Sequence, residues 1–192
     1  MSQSSPRSSE IMDVPLKSPP DRQAYRDGMA RLAAAVNIIT SDGPAGRCGF
    51  TASAVCSVTD TPPILLVCVN RSAQSSPLIK VNGVLCVNTV DPRHEALSMC
   101  FAGATGVRDM DTRFSGASWR TLITGSPVLD GAAAAFDCKV VERIEMGAHE
   151  VLFCEVLGVV HEPTAEGLVH LDRAFHRLPA RPAGAVKPQE RQ

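Results

Sequence analysis

Ala133-Ala134-Ala135-Phe136-Asp137-Cys138-Lys139-Val140-Val141-Glu142-Arg143-Ile144 and Glu150-Val151-Leu152-Phe153-Cys154-Glu155-Val156-Leu157-Gly158-Val159-Val160 are two long extended runs separated by little more than Glu145-Met146-Gly147-Ala148. β-branched residues recur in both runs and the link is of turn length with a glycine in it, so the segment predicts an antiparallel hairpin. Working upstream, Val84 to Val90 is another strand, and Pro92 to Phe101 carries helical residues before a Gly-rich loop from Ala102 to Asp111. Trp119 to Thr124 reads as a short strand and Leu168 to Leu171 as the last one.

Further upstream, Val36 to Thr40 is followed by the turn residues Ser41-Asp42-Gly43-Pro44-Ala45-Gly46 and then by an extended stretch around Cys48 to Val58, which predicts a second hairpin. Pro62-Pro63 introduces Ile64 to Val69, a continuous apolar run of the kind found in a strand buried on both sides. Ser76 followed by Pro77 reads as a helix N-cap and first helical residue, and Asn82-Gly83 stops that helix. Asp21 is placed to cap an opening amphipathic helix in which Ala24, Tyr25, Met29, Leu32 and Ala33 share a face. Six or more strands joined mostly by turn-length links argue for a mainly β fold, an antiparallel barrel with a few short helices, over a doubly wound sheet.

The 192 residues suit one domain, with 44% hydrophobic and 20% charged residues, enough to form a core without staples. Residues 1–20, rich in Ser and Pro, read as a flexible tail, as do residues 179–192, and the folded domain is expected over 21–178. With 19 Lys+Arg against 20 Asp+Glu and no basic run, nucleic acid is not an expected partner. Seven scattered cysteines show no C-x-x-C pair, so they read as small core residues in a reducing cytoplasm, with no metal site. No secretory signal and no apolar stretch near the ~20 residues of a membrane span is seen, so no membrane association is expected.

Neither G-x-G-x-x-G nor G-x-x-x-x-G-K-[ST] occurs, so a nucleotide would be held without Rossmann or P-loop machinery. Two segments stand out. Gly49-Phe50-Thr51-Ala52-Ser53-Ala54-Val55-Cys56-Ser57-Val58 places small and hydroxyl residues on a strand, leaving backbone open to a flat ring; the same residues also suit a strand kept thin by packing. Asn70-Arg71-Ser72-Ala73-Gln74-Ser75-Ser76-Pro77 is a polar turn running into a helix start, which suits a phosphate or, equally, an ordinary capped helix.

These segments carry a resemblance. Gly-Phe-Thr-Ala-Ser-Ala-Val-Cys-Ser-Val-Thr-Asp-Thr-Pro-Pro from Gly49, Asn-Arg-Ser from Asn70, Cys-Val-Asn from Cys86, and Gly-Ala-His-Glu-Val-Leu-Phe-Cys-Glu-Val from Gly147 resemble the short-chain flavin reductase family over about residues 22 to 178. The resemblance implies an FMN-binding split β-barrel and an NAD(P)H:flavin oxidoreductase. Such enzymes supply reduced FMN or FAD to two-component monooxygenases, including those acting on phenols and pyrimidine rings. It further implies that Thr51, Ala52, Ser53 and Ala54, with Ser57 close by, line the flavin ring and ribityl chain. Asn70, Arg71, Ser72 and Ser75 fall in the stretch that meets the flavin phosphate. Phe101 and the loop through Arg108 to Phe114 lie near the flavin edge or a second subunit of a homodimer. His149 stands beside the nicotinamide path as the catalytic-site residue, although a lone strand histidine also suits a purely structural role. Phe175-His176 stands where relatives carry Tyr or Phe before His, so a tyrosine hydroxyl contact is absent.

On that resemblance the hydride is expected to pass directly between the two cofactors, FMN or FAD and NADH or NADPH, with the protein supplying position and hydrogen bonds. The rival readings keep the flavin site without a nicotinamide approach: an oxidase with tightly held flavin, or a flavin- or heme-binding sensor or carrier.

Overall fold

The computed structural model describes residues 20–180. Helix α1 (Arg22–Ala30) starts where Asp21 stands, because the Asp21 carboxylate accepts from the Gln23 and Ala24 amides, both at 2.8 Å. Its apolar stripe does not enter the core. No residue of α1 is buried, and Tyr25, Met29 and Leu32 are exposed. The helix is held instead by the ion pairs Asp27–Arg173 and Arg31–Asp172 and by the Asp172 amide donating to Ala30 O.

The chain continues through β1 (Ala34–Ala35), β2 (Asn37–Ser41) and β3 (Cys48–Ala52). The β2–β3 hairpin forms as expected, with Ile39 opposite Phe50. The extended stretch Cys48 to Val58 is not one strand. It breaks at Ser53-Ala54, and β4 (Val55–Asp60) turns back on β5 (Pro63–Asn70). β5 alternates rather than being buried on both sides: Leu65, Val67 and Val69 are inside, while Ile64, Leu66 and Cys68 are partly open.

Helix α2 (Ser75–Asn82) begins earlier than the Ser76-Pro77 signal suggests, since Gln74 is already helical and is the N-cap without a side-chain bond. It stops at Gly83, whose φ of 69° gives the left-handed exit glycine tolerates. β6 (Val84–Thr89) follows, then a 3₁₀ turn (Pro92–His94) and α3 (Glu95–Phe101). Part of the expected loop after α3 is helical, as α4 (Met110–Phe114). Trp119 to Thr124 divides into β7 (Trp119–Thr121) and a turn that leads to β8 (Pro127–Leu129). The long hairpin is present as β9 (Ala134–Met146) and β10 (His149–His161), joined by Gly147-Ala148 with Gly147 at φ 57°. β11 (Gly167–Leu171) pairs with β1 and with β12 (Ala174–Leu178), which along with β1 and β8 the sequence did not signal.

Seven strands form one antiparallel sheet in the order β3-β2-β6-β9-β10-β5-β4. The two end strands, β3 and β4, are neighbours in the chain. Two residues, Ser53 and Ala54, therefore draw opposite edges of the sheet to one point, where the Cys68 amide donates to Ala54 O at 3.0 Å. Among the described residues no ladder joins β3 to β4. β2 is buried throughout, with Ile39 in a cluster containing Leu65, Val67, Leu85 and Leu152, and Ile38 in a second one with Phe101, Phe114 and Leu129. Each such side chain removed from water contributes roughly 1.5–3 kcal/mol, so this strand anchors both layers. The Cys86-Val87-Asn88 motif belongs to this frame: buried Asn88 donates to Ile38 O at 3.0 Å and accepts from the Leu129 amide at 2.7 Å.

Candidate functional site

The break between β3 and β4 forms one side of a cavity of about 440 Å³, within the range of small-molecule sites. β3 meets α3 closely on this side. A Cβ on Gly49 would lie 2.7 Å from Phe101 Cε1 and 2.9 Å from Ile39 O, so only glycine permits the contact. Thr51 Oγ1 donates to Ser98 O at 2.6 Å, tethering the strand to the helix; its proton is therefore committed within the protein. Ala52 is buried in the core, whereas Ser53 and Ala54 stand open in the cavity wall.

The opposite wall is built where β5 ends. Asn70 Oδ1 accepts from the Ser72 amide at 3.0 Å and from Ser72 Oγ at 2.8 Å, which curls the chain toward α2. Ser75, buried, and Gln74 line the cavity at the start of that helix. His149 is directly opposite Asn70 in the β5–β10 register and lines the same space. The third wall is Phe101, Ala102, Gly103, Met110 and Arg113, from α3, the following loop and α4.

Of the residues singled out in the sequence, Thr51, Ala52, Ser53, Ala54, Asn70, Ser75, Phe101 and His149 line this one cavity. The others do not. Arg71 and Ser72 line a shallow cleft beside it that shares Asn70, and the Arg71 guanidinium is paired with Glu145 at 3.2 Å. Ser57, past the break, lines a separate groove on the far part of β4. Arg108 is exposed on the loop after α3 and is not in the lining. Phe114 is buried behind Phe101, ring centroids 5.1 Å apart, beneath Arg47 at 4.5 Å. Phe175 sits on β12 edge-on to His170 at 5.7 Å, also outside the lining.

Met110 and Arg113, within the loop expected near the flavin edge, and Gln74, within the polar turn, join the lining without having been singled out, and Cys68 and Gly103 join it from outside the expected segments. Strict alternation along β5 would have turned Cys68 away from the core face of Val67 and Val69. The thiols are accordingly not all core residues. Burial pushes Cys48 up to about 11 and Cys154 up to about 12, and raises Cys86 and Cys138 as well, but Cys56 is exposed and Cys68 half-exposed.

Residues 29–179 match the family described as flavin reductase like domain. The chain belongs to the flavin reductase-like family. A Yersinia enterocolitica protein named FMN reductase (NADH) RutF is 54% identical over 173 residues, which span 90% of this chain and 91% of that one. A solved Haemophilus somnus structure, 42% identical, superposes with a TM-score of 0.78 over 83% of this chain and all (100%) of its own. BorF, the flavin reductase component of a bacterial two-component tryptophan halogenase, superposes with a TM-score of 0.77 at 26% identity, over 84% of this chain and 100% of its own. Within the flavin reductase-like family the cavity between β3, α2 and α3 is the natural place to look for a flavin. Its open backbone at Ser53-Ala54, the glycine-only contact at Gly49 and the polar turn at Asn70 fit a planar ring carrying a polar tail.

Proposed function

We propose that the chain is an NADH-dependent flavin reductase that reduces FMN and passes the reduced flavin to a monooxygenase component. The observation that carries this reading is the cavity formed at the break between β3 and β4, in a chain 54% identical to a named FMN reductase. When bound, the flavin supplies the hydride acceptor and the nicotinamide the donor. The chain's part is positional. Ser53 and Ala54 offer backbone and a hydroxyl to the ring; Asn70, Ser75 and the opening turn of α2 receive the phosphate end, with the Arg71 and Ser72 cleft alongside. His149, beside Asn70, orients the nicotinamide. Holding two reactants in register supplies the effective concentration on which such a transfer depends.

We take the seven-stranded sheet, its two edge strands drawn together at Ser53-Ala54, as the split β-barrel of a single domain spanning about 21–178. We further propose a homodimer in the cytoplasm. Its support is an apolar groove of about 340 Å³ lined by Val55, Leu65, Phe136, Val156 and Val159, with Val58, Leu157 and Val159 exposed on β4 and β10. Apolar surface of this kind marks an interaction face. Among the described residues no helix is long and apolar enough to cross a membrane.

The test is to mix the purified protein with NADH or NADPH and with FMN, FAD or riboflavin and follow nicotinamide oxidation. NADH with FMN is expected to be the fastest pair. Absence of oxidation above background with every flavin overturns the reading in favour of a carrier or tight-flavin oxidase.

A further inference from the structure

We infer that Arg113 is a positioning residue that folds the loop between α3 and α4 into the third wall of the flavin cavity; this rests on the placement of flavin in that cavity. The loop has little else to hold it. Gly103 and Gly106 adopt φ of 79° and 76°, and the backbone bonds of its first half, Gly103 to Cys100, Ala104 to Met99 and Gly106 to Gly103, are all local turns. Arg113 ties it down from the far side. Its Nε and Nη2 both donate to Val107 O, at 2.9 and 2.6 Å, and Nη1 donates to Phe101 O, the last carbonyl of α3, at 3.4 Å.

The anchor from which Arg113 reaches is firm. Asp109 caps α4 by accepting from the Thr112 amide at 2.8 Å. Phe114 is buried between Phe101 and Trp119, and Trp119 Nε1 donates to Phe114 O at 2.9 Å. Successive helical residues point about 100° apart, so fixing Phe114 in the aromatic cluster sets the direction of Arg113. The guanidinium is half-buried and lines the cavity with Ala102, Gly103 and Met110. Among the described residues none of the ion pairs includes it, so carbonyl oxygens are what orient it. A planar fork with five N–H donors can join Val107 and Phe101 at once, and a lysine ammonium cannot reproduce that geometry.

The experiment compares Arg113→Gln and Arg113→Lys with the unaltered protein in flavin KM, kcat, melting temperature and amide hydrogen exchange over residues 102–109. Loss of charge-assisted bonds to the loop predicts a flavin KM raised about tenfold or more in Arg113→Gln, kcat within about twofold, and faster exchange across the loop. Arg113→Lys should be displaced in the same direction by less. A lowered melting temperature with unchanged KM in the folded fraction overturns the assignment, and so does an Arg113→Lys protein equal to the unaltered one in both KM and exchange. Ser53→Leu, on the opposite wall, is measured in parallel. If it raises KM while Arg113→Gln does not, Arg113 alone is misassigned. If neither variant moves KM, the placement of flavin in the cavity fails and the role of Arg113 with it.

Discussion

The cavity beside Ser53-Ala54 and the groove along β4 are lined by consecutive pieces of one stretch of chain, yet the first mixes polar and apolar groups and the second is mainly apolar. Gly49 to Ala54 faces hydroxyls, an amide and an imidazole beside Phe101 and Met110, while Val55 to Asp60 adjoins Leu65, Phe136, Val156 and Val159. Ser53 and Ser57 are the same residue four positions apart and fall in different sites. The composition of the stretch is nearly uniform, so the difference comes from what the rest of the sheet brings to each half. On the cavity side the strand meets the start of α2, the end of α3 and a polar turn; along β5 and β10 it meets mainly the apolar faces of other strands. The cavity offers hydrogen-bonding groups that water also satisfies, whereas the groove leaves apolar area in water at a cost of roughly 25 cal/mol per Å² until something covers it.

The largest effect that would sharpen this contrast is expected at Gly49. Gly49→Val places side-chain atoms against Phe101 and the Ile39 carbonyl, at positions where even a Cβ is under 3 Å from both. Forcing that contact should cost about 3 kcal/mol of stability and spoil flavin use, both readable by chemical denaturation and NADH oxidation. A stable variant with normal flavin KM would mean that α3 need not approach β3 for the cavity to work.

On the groove side, Val159→Asp puts a carboxylate on an exposed apolar face. It should weaken the dimer by about 2 kcal/mol, roughly thirtyfold, in sedimentation equilibrium, with little change in the fold of each subunit. Should the unaltered protein sediment as a monomer at micromolar concentration, the groove is not a subunit interface.

The smallest effects separate His149 from Ser57. His149→Ala should raise the nucleotide KM or lower turnover two- to tenfold, about 0.5–1.5 kcal/mol for one lost hydrogen bond, while flavin affinity hardly changes. Ser57→Ala, in the groove, should leave both KM values within about twofold, the size of an ordinary surface substitution. A purely thermal effect of His149→Ala would make it a packing residue. A flavin KM raised by Ser57→Ala would show that the cavity extends past the break.

Where the signal was local, sequence and structure agree. Asp21 caps α1, Gly83 ends α2, Gly147 turns the β9–β10 hairpin, and Ser41 to Gly46 turns β2 into β3. Each depends on one residue's own side chain or φ, or on a period-2 run, and nothing distant has to be known. The segments around Thr51 and Asn70, marked out by their small and polar residues, do come to one cavity, although Ala52 also packs in the core and Thr51 is tethered to Ser98 O. Family resemblance added His149 and Phe101, but it also carried Arg108, Phe114 and Phe175 into a site whose lining they do not join.

By itself, then, the sequence determined the antiparallel, mainly β character of the chain, its long hairpin and the two polar segments that line the cavity. Tertiary structure alone decided that the stretch from Cys48 to Val58 breaks at Ser53-Ala54, that Ser57 goes to the groove, that α1 lies with its apolar face outward, and that Arg113 rather than Arg108 reaches the cavity. The physical reason is the range of the forces. Caps, turns and periodicity act within a few residues, but the partner of each strand edge is set by the order of a seven-stranded sheet whose first and last members are β3 and β4. Only that order tells which side chains of one run face a helix, a polar turn or open water.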